Sequence, residues 1–95
     1  MEEMTLKEVL VQCEKNNCGF FTVFKPKKGT LEVEYPILDR KEWRKVAHIQ
    51  TRGADPRRVF EMGREIGDSS ILFVELSNGG GSMMVDKDMK FRIVE

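Results

Sequence analysis

Residues 30–35 alternate apolar and acidic side chains, and no other part of the chain constrains the fold as strongly. In an extended chain Leu31, Val33 and Tyr35 point to one side, and Glu32 and Glu34 point to the other. A strand of this kind buries one face and leaves the other in water, which is typical of an antiparallel sheet. The segment therefore predicts a sheet with an acidic, solvated face.

Four other segments also have strand character. Phe20 to Lys25 is rich in aromatic and β-branched residues, and Pro26-Lys27-Lys28-Gly29 has the residues of a turn, which predicts a hairpin with residues 30–35. In the last third of the chain, glycine-rich or charged turns separate three short apolar or alternating runs. These runs predict a β-meander with strands at residues 71–76, 82–85 and 89–94.

Helix signals occur in three places, near residues 6–16, 39–51 and 56–66. Thr5 and Glu8 have the spacing of a capping box, and Asp39 is an N-cap residue before an apolar stripe that starts at Trp43. Asp55-Pro56 combines a cap with proline at the first helical position. The second helix should bury Trp43 against the sheet.

Taken in order, these elements predict a single α+β domain over residues 1–95, with the arrangement α-ββ-αα-βββ. Short turns between grouped helices and strands favour a mainly antiparallel sheet of four to five strands, covered by three helices. A chain of 95 residues is long enough for one such domain and too short for two.

Composition excludes several classes of protein. Sixteen basic residues balance sixteen acidic ones and 40% of residues are hydrophobic, which argues against disorder and against a uniformly basic nucleic-acid binder. No apolar run approaches the ~18 residues of a membrane helix, so no membrane partner is expected. Two cysteines do not make a disulfide framework, and the acidic start does not resemble a secretory signal. We therefore expect a cytoplasmic protein.

No recognisable catalytic, metal-binding or cofactor-binding motif is present. Cys13, Cys18 and His48 do not have the spacing of a zinc site, and Cys13 is interpreted as a core residue. Glu32 and Glu34 resemble a carboxylate pair but are interpreted as the solvated face of a strand. The Gly79-Gly80-Gly81 run lacks the lysine of a phosphate-binding loop. We expect no enzyme activity and no cofactor.

Charge is distributed unevenly along the chain. Residues 25–58 contain ten basic and five acidic residues, while both ends are acidic. Arg40 and Lys41 follow the cap Asp39, and Arg57 and Arg58 follow Asp55-Pro56, so both predicted central helices begin with two cations. Helix N-termini disfavour cations, and a repeated violation of this rule is consistent with an anion-binding role. The alternative is that these arginines and lysines are a solvated face, paired with Glu61, Glu65 and others.

These observations favour a non-catalytic binding module with a basic face for an anionic macromolecule, either a nucleic-acid backbone or an acidic protein surface. A protein–protein adaptor or inhibitor that acts through apolar or sheet-edge contacts is one alternative. A small enzyme or ligand-binding subunit with its site at an oligomer interface is another. The predicted binding residues are Lys27, Lys28, Arg40, Lys41, Arg57 and Arg58.

Overall fold

A computed structural model of the protein describes residues 2–18, 21–52, 72–85 and 88–95. In these ranges one short helix precedes a seven-stranded, curled antiparallel sheet. The elements are α1 (Leu6–Val11), β1 (Cys13–Cys18), β2 (Phe21–Pro26), β3 (Thr30–Ile37), β4 (Arg40–Arg52), β5 (Leu72–Leu76), β6 (Ser82–Met84) and β7 (Phe91–Val94). The expectation of an α+β domain with three helices is wrong, because the described chain is mostly sheet.

Strand β4 organises the sheet. Its first half pairs with β3, from Arg40 opposite Ile37 to Val46 opposite Leu31, and its second half pairs with β2. Val46 also pairs with Leu76 of β5, so β5 lies along the other edge of β4. Strand β1 then extends the sheet beyond β2, β7 extends it beyond β3, and β6 extends it beyond β5.

Two of the predicted strand pairings are wrong. Strands β2 and β3 do not form a hairpin with each other; they pair with successive stretches of the same edge of β4. The last three strands do not form a complete meander either, because β5 pairs with β6 but β7 pairs with β3. The strand assignments themselves agree with the sequence pattern at residues 72–76, 82–84 and 91–94.

The predicted helix at residues 39–51 is instead the long strand β4. The register between β4 and β5 shifts between Val46 and His48, which is a β-bulge. A bulge adds one residue to a strand, so the buried side chains of Val46 and Ile49 lie three residues apart instead of two or four. A three-residue spacing of apolar residues imitates one face of a helix, and pairing with β2, β3 and β5 overrides that local pattern.

The prediction of the first helix is correct at its start, but the helix is shorter than the predicted residues 6–16. Thr5 caps α1, and the capping box with Glu8 is formed in both directions. The helix ends at Val11 with Gln12 as its C-cap, and the chain continues at Cys13 as β1. The third predicted helix, at residues 56–66, lies outside the described residues.

The core lies between the concave side of the sheet and α1. Leu31 and Val33 of β3 are buried, as the alternation predicts, and Tyr35 packs at the margin. Cys13 is also buried, in agreement with its interpretation as a core residue. The remaining buried apolar side chains are Leu6, Val9, Leu10, Phe24, Val46, Ile49, Leu72, Val74, Leu76, Val85 and Phe91.

The capping box gives α1 a testable pH dependence. The backbone N–H of Thr5 donates to Glu8 Oε1 at 3.0 Å, and the Glu8 N–H donates to Thr5 Oγ1 at 3.2 Å. The hydrogen bond from the Thr5 backbone N–H to the Glu8 carboxylate holds the pKa of Glu8 below its ordinary value, with a further contribution from the Thr5 side chain and a smaller one from the charge of Lys90. A carboxyl group with a lowered native pKa stabilises the fold above its unfolded pKa and loses that contribution as the pH falls.

We therefore expect Glu8→Gln to be less stable than the wild type at neutral pH, since glutamine keeps the hydrogen bond but not the charge. The difference should shrink as the pH falls from about 5 to about 3, through the ordinary range for glutamate. Chemical denaturation of both proteins at several pH values measures the difference in their free energies of unfolding. A difference that stays constant over this interval would show that the Glu8 charge contributes nothing to α1.

Candidate binding face

The structure separates the basic residues that the sequence groups together. Lys27 and Lys28 are exposed in the bend before β3, whereas Arg40 and Lys41 open β4, opposite the last residues of β3. The eight residues of β3 place these two pairs about 23 Å apart, at ~3.3 Å per residue. Arg57 and Arg58 lie outside the described residues.

Arg40 and Lys41 belong to a strand and do not begin a helix, so the prediction of an anion site at a helix N-terminus is wrong for this pair. A strand has little net dipole, so these two cations meet no local penalty there. The face of the sheet on which each side chain lies therefore decides which other charges surround it.

A different cluster of cations lies on the convex side of β3, β4 and β7. The pairs Glu32–Lys45, Glu34–Trp43 and Glu32–Arg92 are directly opposite one another across neighbouring strands, so their side chains share one face. Lys41 lies two residues before Trp43, and Lys90 lies two residues before Arg92. We call this surface the Trp43 face; its residues are Glu32, Glu34, Lys41, Trp43, Lys45, Lys90 and Arg92.

Arg92 joins three strands at the centre of the Trp43 face. Its Nε donates to Glu32 Oε1 at 2.6 Å, and its guanidinium carbon lies 4.3 Å from the centre of the Trp43 ring. The Glu32 and Arg92 side chains are only 13% and 26% exposed, which strengthens the ion pair relative to one in open solvent. The stack holds the indole in a defined orientation.

Trp43 is partly exposed on this face and does not belong to the buried core. The expectation that it is buried beneath a helix is therefore wrong. As a partly exposed aromatic residue in a rigid strand, it has the character of a binding anchor.

Basic residues outnumber acidic ones on the Trp43 face. Four cations lie there with two carboxylates, and the carboxylates are already engaged: Glu32 with Arg92, and Glu34 with Lys41 at 3.1 Å. Lys45 and Lys90 are exposed, and the charge of Lys90 is also felt by Glu8. The surface therefore attracts anions around a partly exposed aromatic ring.

A second arginine–aromatic pair lies on the opposite face of the same strands. The Arg44 guanidinium carbon is 4.7 Å from the Tyr35 ring centre, and its Nε donates to Glu42 Oε1 at 2.9 Å. These side chains lie beyond the buried part of the core, towards the turn between β3 and β4. This end of the sheet is thus rich in arginine and aromatic groups on both faces.

Depressions on the described surface include a larger and a smaller one. The larger, about 710 Å³, lies beside the bend before β3 and is lined by residues that include Lys27, Lys28 and Val94. The smaller, about 210 Å³, lies beside Arg44, Lys45 and the turn at Asn78. The glycine-rich run is part of this turn, which connects β5 to β6.

The metal and catalytic candidates are dispersed. His48 lies on β4 with Nε2 3.4 Å from Gln50 Oε1, and Cys13 is buried in the core. Within the described ranges, no three histidine, cysteine, aspartate or glutamate side chains lie close enough to hold a metal ion. Glu32 and Glu34 share a face, as predicted, and each is part of an ion pair.

Comparison with known proteins identifies no relative: no protein-family model, curated sequence or solved structure matches the chain. In the described part of the chain, no helix is both long enough and apolar enough to cross a membrane. Functional inference therefore depends on the geometry of the chain itself.

Sequence reasoning missed Trp43, Lys45 and Arg92 as members of one surface. Glu32 and Glu34 were the available signal, because an acidic strand face needs cationic neighbours on the strands beside it. The neighbouring strands could be identified only once β4 was known to be a strand, since a helical segment presents a different set of side chains.

Proposed function

We propose that this protein is a non-catalytic binding module whose Trp43 face binds single-stranded nucleic acid. One observation carries the proposal: the only tryptophan of the chain lies partly exposed on a sheet face where basic residues outnumber acidic ones. The proposal keeps an anionic macromolecule as the partner but moves the binding site to the face around Trp43. We place this activity in the cytoplasm.

The arrangement suits a base and a phosphate at once. Bases stack on aromatic rings and on guanidinium planes, and lysines beside the rings attract the backbone phosphates. Trp43 and Arg92 supply the two planar groups, 4.3 Å apart, and Lys45 and Lys90 supply exposed charges on either side. Small curved antiparallel sheets commonly bind oligonucleotides on such a face.

An acidic protein surface is less well matched to this geometry. Its carboxylates would pair with the lysines, but it has no series of planar groups that could stack on the Trp43 indole. An apolar partner surface also matches the Trp43 face less well than nucleic acid does, because charged side chains surround Trp43. The acidic-protein alternative predicts a weaker dependence on the indole than a nucleic-acid strand does, whereas the apolar alternative predicts a dependence on the indole with little dependence on salt.

The experiment compares two charge reversals of identical chemistry, one on the Trp43 face, opposite Glu32, and one in the bend before β3, outside the residues of that face. Lys45→Glu alters the Trp43 face, and Lys28→Glu alters the bend before β3. We expect Lys45→Glu to weaken binding of a labelled oligothymidine about tenfold and to reduce the salt slope by about 1, because a phosphate contact becomes a repulsion. Lys28→Glu should leave both quantities near their wild-type values.

Fluorescence anisotropy of the oligonucleotide measures affinity, and quenching of the single tryptophan reports whether Trp43 takes part. Equal losses from the two variants would show that only net charge matters. An absence of binding at low salt would refute the proposal. Binding to a polyglutamate peptide in preference to the oligonucleotide would favour the acidic-protein alternative.

A further inference from the structure

The turn between β3 and β4 projects an aliphatic side chain that contributes nothing to the fold. Leu38 is 101% exposed, and its backbone φ of 53° lies in the left-handed region. Two-residue hairpin turns normally place glycine or asparagine at such a position, because a bulky side chain is strained there. A residue that is both strained and fully solvated suggests a role outside its own fold.

The surroundings of Leu38 define a knob of mixed character. Pro36 and Ile37 extend its apolar surface along β3, and Ile37 is half-buried. Asp39 and Arg40 are exposed beside it, so the knob carries a negative and a positive charge next to the leucine. A complementary site needs an apolar floor with charges of both signs at its rim.

The larger depression of the same chain has these properties. Ile93 and Val94 contribute apolar surface, Glu2 and Glu95 contribute carboxylates, and Lys27 and Lys28 contribute cations. Its volume of about 710 Å³ is large enough to accept a two-residue turn with its leucine. We call it the β7 groove.

The smaller depression does not match the knob. Arg44 and Lys45 line it, and no carboxylate does. Arg40 would be repelled there, whereas in the β7 groove it can face Glu2 or Glu95 while Asp39 faces Lys27. Between these two depressions, the charges of the knob therefore favour the β7 groove.

We infer that Leu38 of one copy of this chain binds in the β7 groove of a second copy. The knob lies at the end of β3, near Ile37, and the groove lies at its start, near Thr30. A contact between opposite ends of two identical molecules is heterologous, so each molecule keeps one knob and one groove for further copies. The association is head-to-tail and grows with concentration.

Two variants test the inference together. Leu38→Asn removes the knob and suits a positive φ, so it should fold at least as well as the wild type. Val94→Lys places a long cation in the groove, and its thermal melt verifies that the domain still folds. In sedimentation velocity the wild-type mass should rise steadily with concentration, while each variant alone should weaken association at least about tenfold, the loss expected from one buried leucine.

Mixing the two variants gives the sharpest outcome. The intact groove of Leu38→Asn accepts the intact knob of Val94→Lys, so the mixture should form one-to-one heterodimers and nothing larger.

A charge exchange tests the rim of the groove. Arg40→Glu should weaken self-association, and adding Glu95→Lys to the same chain should restore part of the loss.

A wild-type protein that remains an 11.0 kDa monomer up to about 1 mM overturns the inference, since even weak specific association is visible there. So does a mixture without heterodimers, or a wild-type dimer that does not grow further. Retention of association by Leu38→Asn would also exclude the knob as the contact.

Discussion

Replacing Phe91 with alanine is expected to destabilise the protein by about 3–5 kcal/mol. Phe91 is completely buried, opposite Val33 of β3, and belongs to the cluster that includes Leu6, Val9 and Leu10 of the helix. Its truncation removes apolar contact from both the sheet and α1 and leaves a cavity that rigid strands cannot close. Since small domains have only ~5–15 kcal/mol in total, the variant should be close to unfolding.

The backbone of Phe91 adds to this effect. Its N–H donates to the Met4 carbonyl at 2.8 Å, and the Met4 N–H donates to its carbonyl at 2.7 Å. The segment before α1 is therefore attached to β7 where the side chain anchors the core. Urea denaturation measures the loss, and Phe91→Leu, which keeps most of the volume, should cost much less. A loss below about 1.5 kcal/mol for Phe91→Ala would mean that the core can rearrange around this position.

Replacing Gly29 with alanine should cost about 2–3 kcal/mol, which is unusual for an exposed position. Gly29 has φ 85°, and a Cβ atom there would lie 2.7 Å from the Val94 carbonyl oxygen and 3.0 Å from Ile93 Cγ2. The carbonyl is part of the β3–β7 pairing and cannot move aside without disturbing it. Two costs therefore add: the left-handed backbone and the collision with β7.

Gly79 is the matched control. Its φ of 72° is similar, but a Cβ atom there would meet nothing within 4 Å. Gly79→Ala should thus lose only about 1–2 kcal/mol, the backbone part of the cost. Thermal or urea denaturation of both variants separates the two terms. Equal losses would show that β7 yields to the added methyl group and that Gly29 is required for its φ alone.

Gly29 also explains how β2 and β3 share one edge of β4. After Phe24, the last residue of β2 paired with β4, the chain continues along β1 through Pro26. It then returns to β4 at Leu31, directly beside the end of β7. A side chain at Gly29 would occupy the space that this return needs. Turn residues in the sequence indicated a change of direction here, but the same residues serve a hairpin and a corner equally well.

Patterns that depend on neighbours in the chain were correctly read from the sequence. The capping box at Thr5 and Glu8, the buried face of the strand that begins at Thr30, and the short strands near the carboxyl end are present as expected. Each is a local property, because a cap joins residues three apart and a strand face repeats every second residue. The other face of that strand was predicted to be acidic and solvated, and this is wrong: Glu32 and Glu34 are mostly covered and basic residues outnumber them. Lys27, Lys28, Arg40 and Lys41 are exposed, but the two pairs lie at opposite ends of β3, and their role in binding stays a prediction.

Tertiary structure alone decided the state of residues 40–52 and, with it, the candidate binding face. The bulge between Val46 and His48 changes the spacing of buried residues, so the local pattern could not distinguish strand from helix. Pairing with three other strands makes this segment a strand, because each of them forms backbone hydrogen bonds with it that the isolated segment lacks. The same pairing brings Arg92 beside Trp43 across an intervening strand. Forty-nine positions separate the two residues in the chain, a distance over which no local pattern carries information.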